Sequence, residues 1–263
     1  MSWLRIRAVA KRHYYVMLRS PHRLFDVTVW PLVDALLFGS LGAFVAQQRG
    51  GGGTAAFGYL LGGIVLWHVI YQSEIAVSTG FLEETWSRNL LNIMVTPLKE
   101  LEYVAGVALF GLVKLALGVG LVAATALLLF SFDITELGLG LIPIAGLLLL
   151  VGWVIGLFVV GVVLRFGSGA EALAWGILFA VMPLSGVFYP VEALPGIVQP
   201  VARALPTTHI FAAMRGLLDG KGIDWTQIGI ASVGTVVLTV AALAYLARML
   251  QLFRRRGYIS RYS

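Results

Sequence analysis

Residues 81–106, FLEETWSRNLLNIMVTPLKELEYVAG, are the segment from which the fold can be read. They form the longest polar interruption in the first half of a chain otherwise built of apolar runs, with one such run over residues 55–79 before them and another over 104–130 after. Runs of 20 or more apolar residues match the roughly 20 that an α-helix needs to cross a bilayer, and exceed the roughly 10 of a barrel strand. Backbone groups in lipid must be satisfied within their own segment, so the fold class is all-α and integral to a membrane. A polar connector with helix-like charge spacing between two spans is then a natural contact for a soluble partner.

Composition supports this frame. The 263 residues are 59% hydrophobic and 12% charged, with a mean hydropathy of +0.90; a soluble domain carries about twice that share of charge. No cysteine is present, which excludes disulfides, thiolate metal sites and cysteine nucleophiles. His13, His22, His68 and His209 lack ligand spacing, and no metal site is predicted. The net charge of +6 is confined to the ends. Residues 1–24 carry six basic groups and residues 248–263 five, with no acid in either, leaving the remainder at −5. That placement follows the positive-inside pattern rather than a nucleic-acid surface, and puts both termini in the cytoplasm.

Residues 1–24 mix five arginines and a lysine with Trp3, Leu4, Ile6, Val9, Tyr14 and Val16. This predicts an amphipathic helix lying in the interface and ending near Ser20 and Pro21. Six spans are expected over residues 25–46, 55–79, 104–130, 138–164, 172–189 and 225–250, together one membrane domain over 25–250. Loops 47–54 and 131–137 have few basic residues and read as outside; loop 81–103 and the turn 165–171 read as inside. Residues 190–224 hold four of the nine prolines yet stay amphipathic, which predicts short broken helices that dip into the outer leaflet or cap the bundle. Residues 251–263 form a basic tail. Arginine outnumbers lysine fifteen to four, in keeping with a bacterial source and a plasma-membrane location.

With these spans placed, three motifs together resemble the membrane subunits of ABC-2-type transporters, the family of polysaccharide, nodulation-factor and daunorubicin-type exporters. They are RNLLNIMVTPLKELEYVAG at residues 88–106, MPLSGVFYPVEALP at 182–195 and LPTTHIFAAMRG at 205–216. The resemblance implies a permease that dimerises with a second copy of itself and docks on two copies of a separate ATPase subunit. ATP and Mg would be held by that partner and no cofactor by this chain. The sequence agrees: a phosphate-cradling loop needs G-x-x-x-x-G-K-[ST], and the nearest match, from Gly216 to Gly222, is one residue short, ends in glycine and falls outside.

Within the inner loop, Glu84, Arg88 and Leu91 share a helix face by i, i+4, i+7 spacing, with Pro97 as terminator. The ATPase-coupling residues are therefore expected to be Glu83, Glu84, Arg88, Leu91, Asn92, Pro97 and Lys99. The plain alternative is a solvated connector. Inside the spans, a rise of about 1.5 Å per residue puts Asp34, Lys114 and His68 at one depth. Such groups are costly there unless paired or hydrated, which predicts a shared polar layer, serving either as an Asp34–Lys114 ion pair that locks helix packing or as part of a substrate path or gate. Trp30, Asp34 and Phe38 share one face, Trp67 and Tyr71 share another with Glu74 and Ser78, and Phe179 continues an aromatic surface on the fifth span. These are expected to line the substrate path, or else to pack.

Two other functions compete for these residues. An intramembrane serine hydrolase would use Ser185 with His209 or His68 as base, but Pro183 and Val187 replace both glycines of a G-x-S-x-G elbow. An ion-coupled secondary transporter would suit Asp34 but leaves the inner loop without a purpose.

Overall fold

The computed structural model describes residues 1–49, 53–86, 96–167, 170 and 172–256. Among these residues the chain is helical without strands. Helix α1 (Trp3–Leu18) stops where Ser20 and Pro21 predict. Helix α2 (Pro21–Arg49) begins with its proline at the first helical position, where the missing N–H is no loss. Helices α3 (Gly53–Trp86), α4 (Glu100–Phe130) and α5 (Leu141–Phe166) follow, with a 3-10 turn at Ile134–Gly140 between the last two. Then come α6 (Ala172–Leu184), a 3-10 turn at Val191–Ala193, α7 (Gln199–Ala204), α8 (Pro206–Leu218) and α9 (Trp225–Arg256).

Helix α3 is the axis of the bundle. Over its apolar window 83% of it is buried, against 22% for α2 and α4 and 17% for α9. Its neighbours are α5, α2 and α4. Small residues set the closest of these approaches. A Cβ added at Gly152 of α5 would lie 2.6 Å from the Ile70 carbonyl oxygen and from the Ser73 Cβ, and one at Gly156 would lie 2.8 Å from the Val77 Cβ. The small-xxx-small pair thus seats α5 on the backbone of α3 within one chain. Ile64, Ile70, Ile144, Leu148, Phe211 and Met214 fill the core around this contact.

Among the described residues five helices, α2 to α5 and α9, are long and apolar enough to cross a membrane by length and composition. The segment read as a fifth span, 172–189, is shorter than expected. Helix α6 has 13 residues, about 20 Å at 1.5 Å per residue, against a hydrocarbon core of about 30 Å. Pro183 sits in its last turn, and the chain turns at Ser185 and Gly186.

Two further boundaries move. Phe81 to Trp86, read as the start of the inner loop, continue α3, and α4 begins before the loop's expected end, at Glu100. Glu83 and Glu84 are therefore the last turn of the central helix. Residues 190–224 do form short helices. The inner face of α8 (Thr207, Ile210, Phe211, Met214) is buried against the bundle, so this segment caps the end of the molecule away from the termini.

Candidate functional site

The site is built at the other end, where α1, the first half of α2, the second half of α3 and the first half of α4 meet. Helix α1 is tied there by Glu102, in the first turn of α4. Glu102 Oε1 accepts the Ser2 backbone N–H at 2.6 Å, and Oε2 accepts from Arg5 Nη1 and from the Lys99 N–H, both at 3.1 Å. Arg5 also donates to the Pro97 carbonyl at 2.8 Å. The bond to Lys99 is the reach-back half of a capping box, and the carboxylate suits the positive end of the helix dipole. Backbone N–H groups from Ser2 and Lys99, with Arg5 beside them, hold the Glu102 carboxyl well below the usual range, at about 2. One turn further, a Cβ at Gly106 would lie 2.6 Å from the Val9 Cβ and 2.8 Å from the Ile6 carbonyl. Only a glycine lets α1 lie so close on α4.

Above this clamp lies a cleft of about 340 Å³. Phe25, Trp30, Ile75, Val107 and Phe110 supply apolar wall, while His13, His22, Arg23, Asp26 and Lys114 supply polar groups. Asp26 joins three helices: its carboxylate accepts the Tyr71 hydroxyl of α3 at 3.1 Å and lies 3.5 Å from the Lys114 Nζ of α4. Two turns on, Asp34 lies 3.1 Å from His68 Nε2, and the His68 and Tyr71 rings meet edge to face at 5.6 Å.

Asp34, His68 and Tyr71 thus come together, and Lys114 joins them through Asp26. Asp34 and Lys114 do not pair with each other: Asp34 takes His68, and Lys114 takes Asp26. Asp26 was missed because it falls at the expected mouth of its span. The signal was available, since Asp26, Trp30 and Asp34 continue one i, i+4, i+8 stripe back by a turn.

The aromatic candidates divide. Trp67 is buried in the core, and Phe38 stacks on Phe188 at 4.2 Å between centroids; both pack. Trp30 is half exposed at the cleft. Phe179 is 72% exposed on α6, and among the described residues no ring contact joins it to the layer. Glu74, on the Trp67 and Tyr71 face, is fully buried, and among the described residues neither carboxylate oxygen has a partner at hydrogen-bonding geometry.

Of the coupling residues, Arg88, Leu91 and Asn92 lie outside the described residues. Glu83 and Glu84 are placed as helix backbone only. Pro97 and Lys99 are bound into the Glu102 clamp through their backbone groups.

The hydrolase constellation is not assembled. The Ser185 hydroxyl donates to the Val181 carbonyl at 2.7 Å and lies 2.6 Å from the Thr207 hydroxyl. The His209 ring lies between Gln227 and the Arg203 carbonyl, and His68 is engaged with Asp34.

No curated protein matches the chain significantly. A family model described as ABC-2 type transporter matches residues 5–218, a stretch that runs from the α1 clamp through the polar layer to the end of α8. Members of that family are transport components that work with an ABC ATPase subunit. The chain belongs to the ABC-2 type transporter family and is the multi-pass membrane permease of an ABC transporter.

Proposed function

We propose that this permease is the membrane half of an exporter, taking an amphipathic substrate (a lipid-linked or glycan-bearing molecule or a hydrophobic drug) from the inner leaflet of a bacterial plasma membrane and moving it outward. The observation that carries this reading is the cleft at the termini end, with apolar walls beside a polar layer. One wall, α1, is bound through Glu102 to the place where the inner loop enters α4. A displacement of the loop by an ATPase is then passed directly to a wall of the cleft.

On this reading the partner binds ATP and Mg, and its stroke enters through Glu83, Glu84, Arg88, Leu91, Asn92, Pro97 and Lys99. Two permease copies associate on two ATPase subunits. The Asp34 side chain supports this arrangement: it is 31% exposed on an α2 face that also exposes Trp30 and Leu37. A carboxylate facing lipid costs several kcal/mol, whereas an apposed second copy or a hydrated path would accept it. The short α6 completes a sixth crossing with the segment that caps the bundle, and both termini lie in the cytoplasm.

The test is co-expression with the ATPase encoded beside it, followed by reconstitution into sealed vesicles. The expected result is a stable complex and ATP-dependent movement of a fluorescent amphiphile out of the leaflet that faces the ATPase. A permease that purifies alone, or movement in the reverse direction, would sink the reading.

A further inference from the structure

Helix α4 lies on α3 along a seam of small residues. A Cβ added at Gly80 of α3 would lie 3.2 Å from Val107 Cγ1, and one at Gly111 of α4 would lie 3.0 Å from the Ala76 Cβ. The next contact along the seam is polar. Gln72 lies against the backbone of Gly118, where an added Cβ would meet its Nε2 at 2.7 Å and its Cγ and Cδ at 2.9 Å. Gln72 is fully buried, and among the described residues neither end of its amide has a hydrogen-bond partner. One turn back on the same helix, His68 is buried with its Nε2 on Asp34, and among the described residues its Nδ1 has no partner either.

A buried donor or acceptor left unmade costs its full desolvation, which exceeds the net return of an ordinary hydrogen bond. His68 and Gln72 are related by i, i+4, so they share a face of α3, and a helical side chain leans toward the turn before it. Rotation of the Gln72 side chain therefore carries its amide toward His68 Nδ1. The match holds for either charge of the ring, because the amide offers an N–H to a bare nitrogen and an oxygen to a protonated one. We propose that Gln72 is a two-position element between α3 and α4: on Gly118 it packs the helices closely with its amide unpaired, and on His68 it pairs and frees α4 to slide. The seam is then a shear plane whose packed state is kept shallow by an unmade bond. The proposal shares with the export reading a displacement of α4 by the ATPase, and depends on neither the cargo nor the direction of transport.

The test is Gln72→Met, close in length and volume but without the amide, and the same change combined with Gly118→Ala. Two quantities are read: the thermal midpoint of the purified permease, and the rate of ATP turnover by its complex with the ATPase in vesicles. Gln72→Met should raise the midpoint by about 2–4 °C, since the packed seam keeps its contacts and loses an unmade bond. The deeper packed state should lower turnover about tenfold. Gly118→Ala then fills the space on α4 that the side chain occupies, and should restore turnover to within about threefold of wild type. An amide with a merely structural role predicts the reverse: a lower midpoint, and no rescue by a second change. A fall in the midpoint of Gln72→Met would mean that the amide is already paired in the packed seam, by an internal water for example, and would overturn the proposal. So would a raised midpoint with unchanged turnover, or slow turnover that Gly118→Ala leaves slow. Wild-type turnover without movement of a fluorescent amphiphile would count against the export reading alone.

Discussion

At the scale of single residues, Glu102 and Asp26 hold the termini end together by opposite means. Glu102 gathers three donors onto one carboxylate, and its folded pKa of about 2 lies below the ordinary 4.5. A depressed carboxyl contributes stability that is fully present above the unfolded value and is lost as pH falls through the folded one. The thermal-stability advantage of wild type over Glu102→Gln should therefore be constant above about pH 5 and shrink steadily toward pH 2. An advantage that instead grows on acidification would refute the clamp. Asp26 works as a bridge between α2, α3 and α4. Asp26→Ala takes from Lys114, itself 10% exposed, the carboxylate that lies 3.5 Å from its Nζ. The expected cost is ~2–3 kcal/mol in unfolding experiments, under the ~3–5 kcal/mol of a fully buried pair. Exchanging the two residues, Asp26→Lys with Lys114→Asp, should recover most of it, whereas exchanging Asp34 with Lys114 should not. The sequence made the depth of the layer legible, because spacing along a helix is fixed by 1.5 Å per residue. It could not choose partners: Asp26, Asp34, Lys114 and His68 are on three helices, and their pairing depends on how those helices rotate about their axes.

At the scale of elements, the decisive contact is α5 on α3, and glycines decide it. Gly152→Ala would put a Cβ 2.6 Å from the Ile70 carbonyl, a backbone atom that cannot rotate away, so the helices must separate. Overpacking of this kind costs about 1–3 kcal/mol. Gly146, two turns earlier on the same helix, has nothing within 4 Å of its added Cβ. Gly146→Ala should be neutral or stabilising by up to about 1 kcal/mol, as expected for glycine replaced in a helix interior. Thermal unfolding of the two variants side by side checks this, and equal effects would mean that α5 does not lie on α3 as described. In the sequence, Gly152 and Gly156 form a small-xxx-small pair, a pattern that permits close contact but carries no information about its partner. Element ends were hidden for a related reason. Glu83 and Glu84 look like loop by polarity, yet a helix that has left the apolar layer can continue into polar surroundings with no change in its hydrogen bonding. At α6 the reverse holds, because apolar residues through Tyr189 read as span while Pro183 and Gly186 end the helix early.

At the scale of the whole molecule, the polar contacts group the termini end into two bodies that also pack on each other where α4 lies along α3. Helix α1 rides on α4 through Glu102, Arg5 and Gly106, and α2 rides on α3 through Asp34–His68 and Asp26–Tyr71. The Asp26–Lys114 pair spans the division, and the cleft lies along it. A push on the inner loop then acts through α4 and α1 together, rather than equally on the two spans that flank the loop, as chain order alone would imply. Because the natural chain has no cysteine, introduced pairs report without background. A flexible bismaleimide between Phe25→Cys on α2 and Val107→Cys on α4, both lining the cleft, bridges the two bodies. A second linker between Arg7→Cys on α1 and Tyr103→Cys on α4 stays within one of them. With the unlinked cysteine variants setting each reference rate, the first linker should lower ATP-dependent transport by about tenfold or more, the scale of a gate held shut in a cycle limited by conformational steps. The second should leave it within about twofold, because a tie inside a rigid body restrains no relative motion. If both linkers stop transport equally, α1 and α4 move against each other and the clamp is not a lever. If neither does, the cleft does not open during the cycle, and the path lies elsewhere in the bundle.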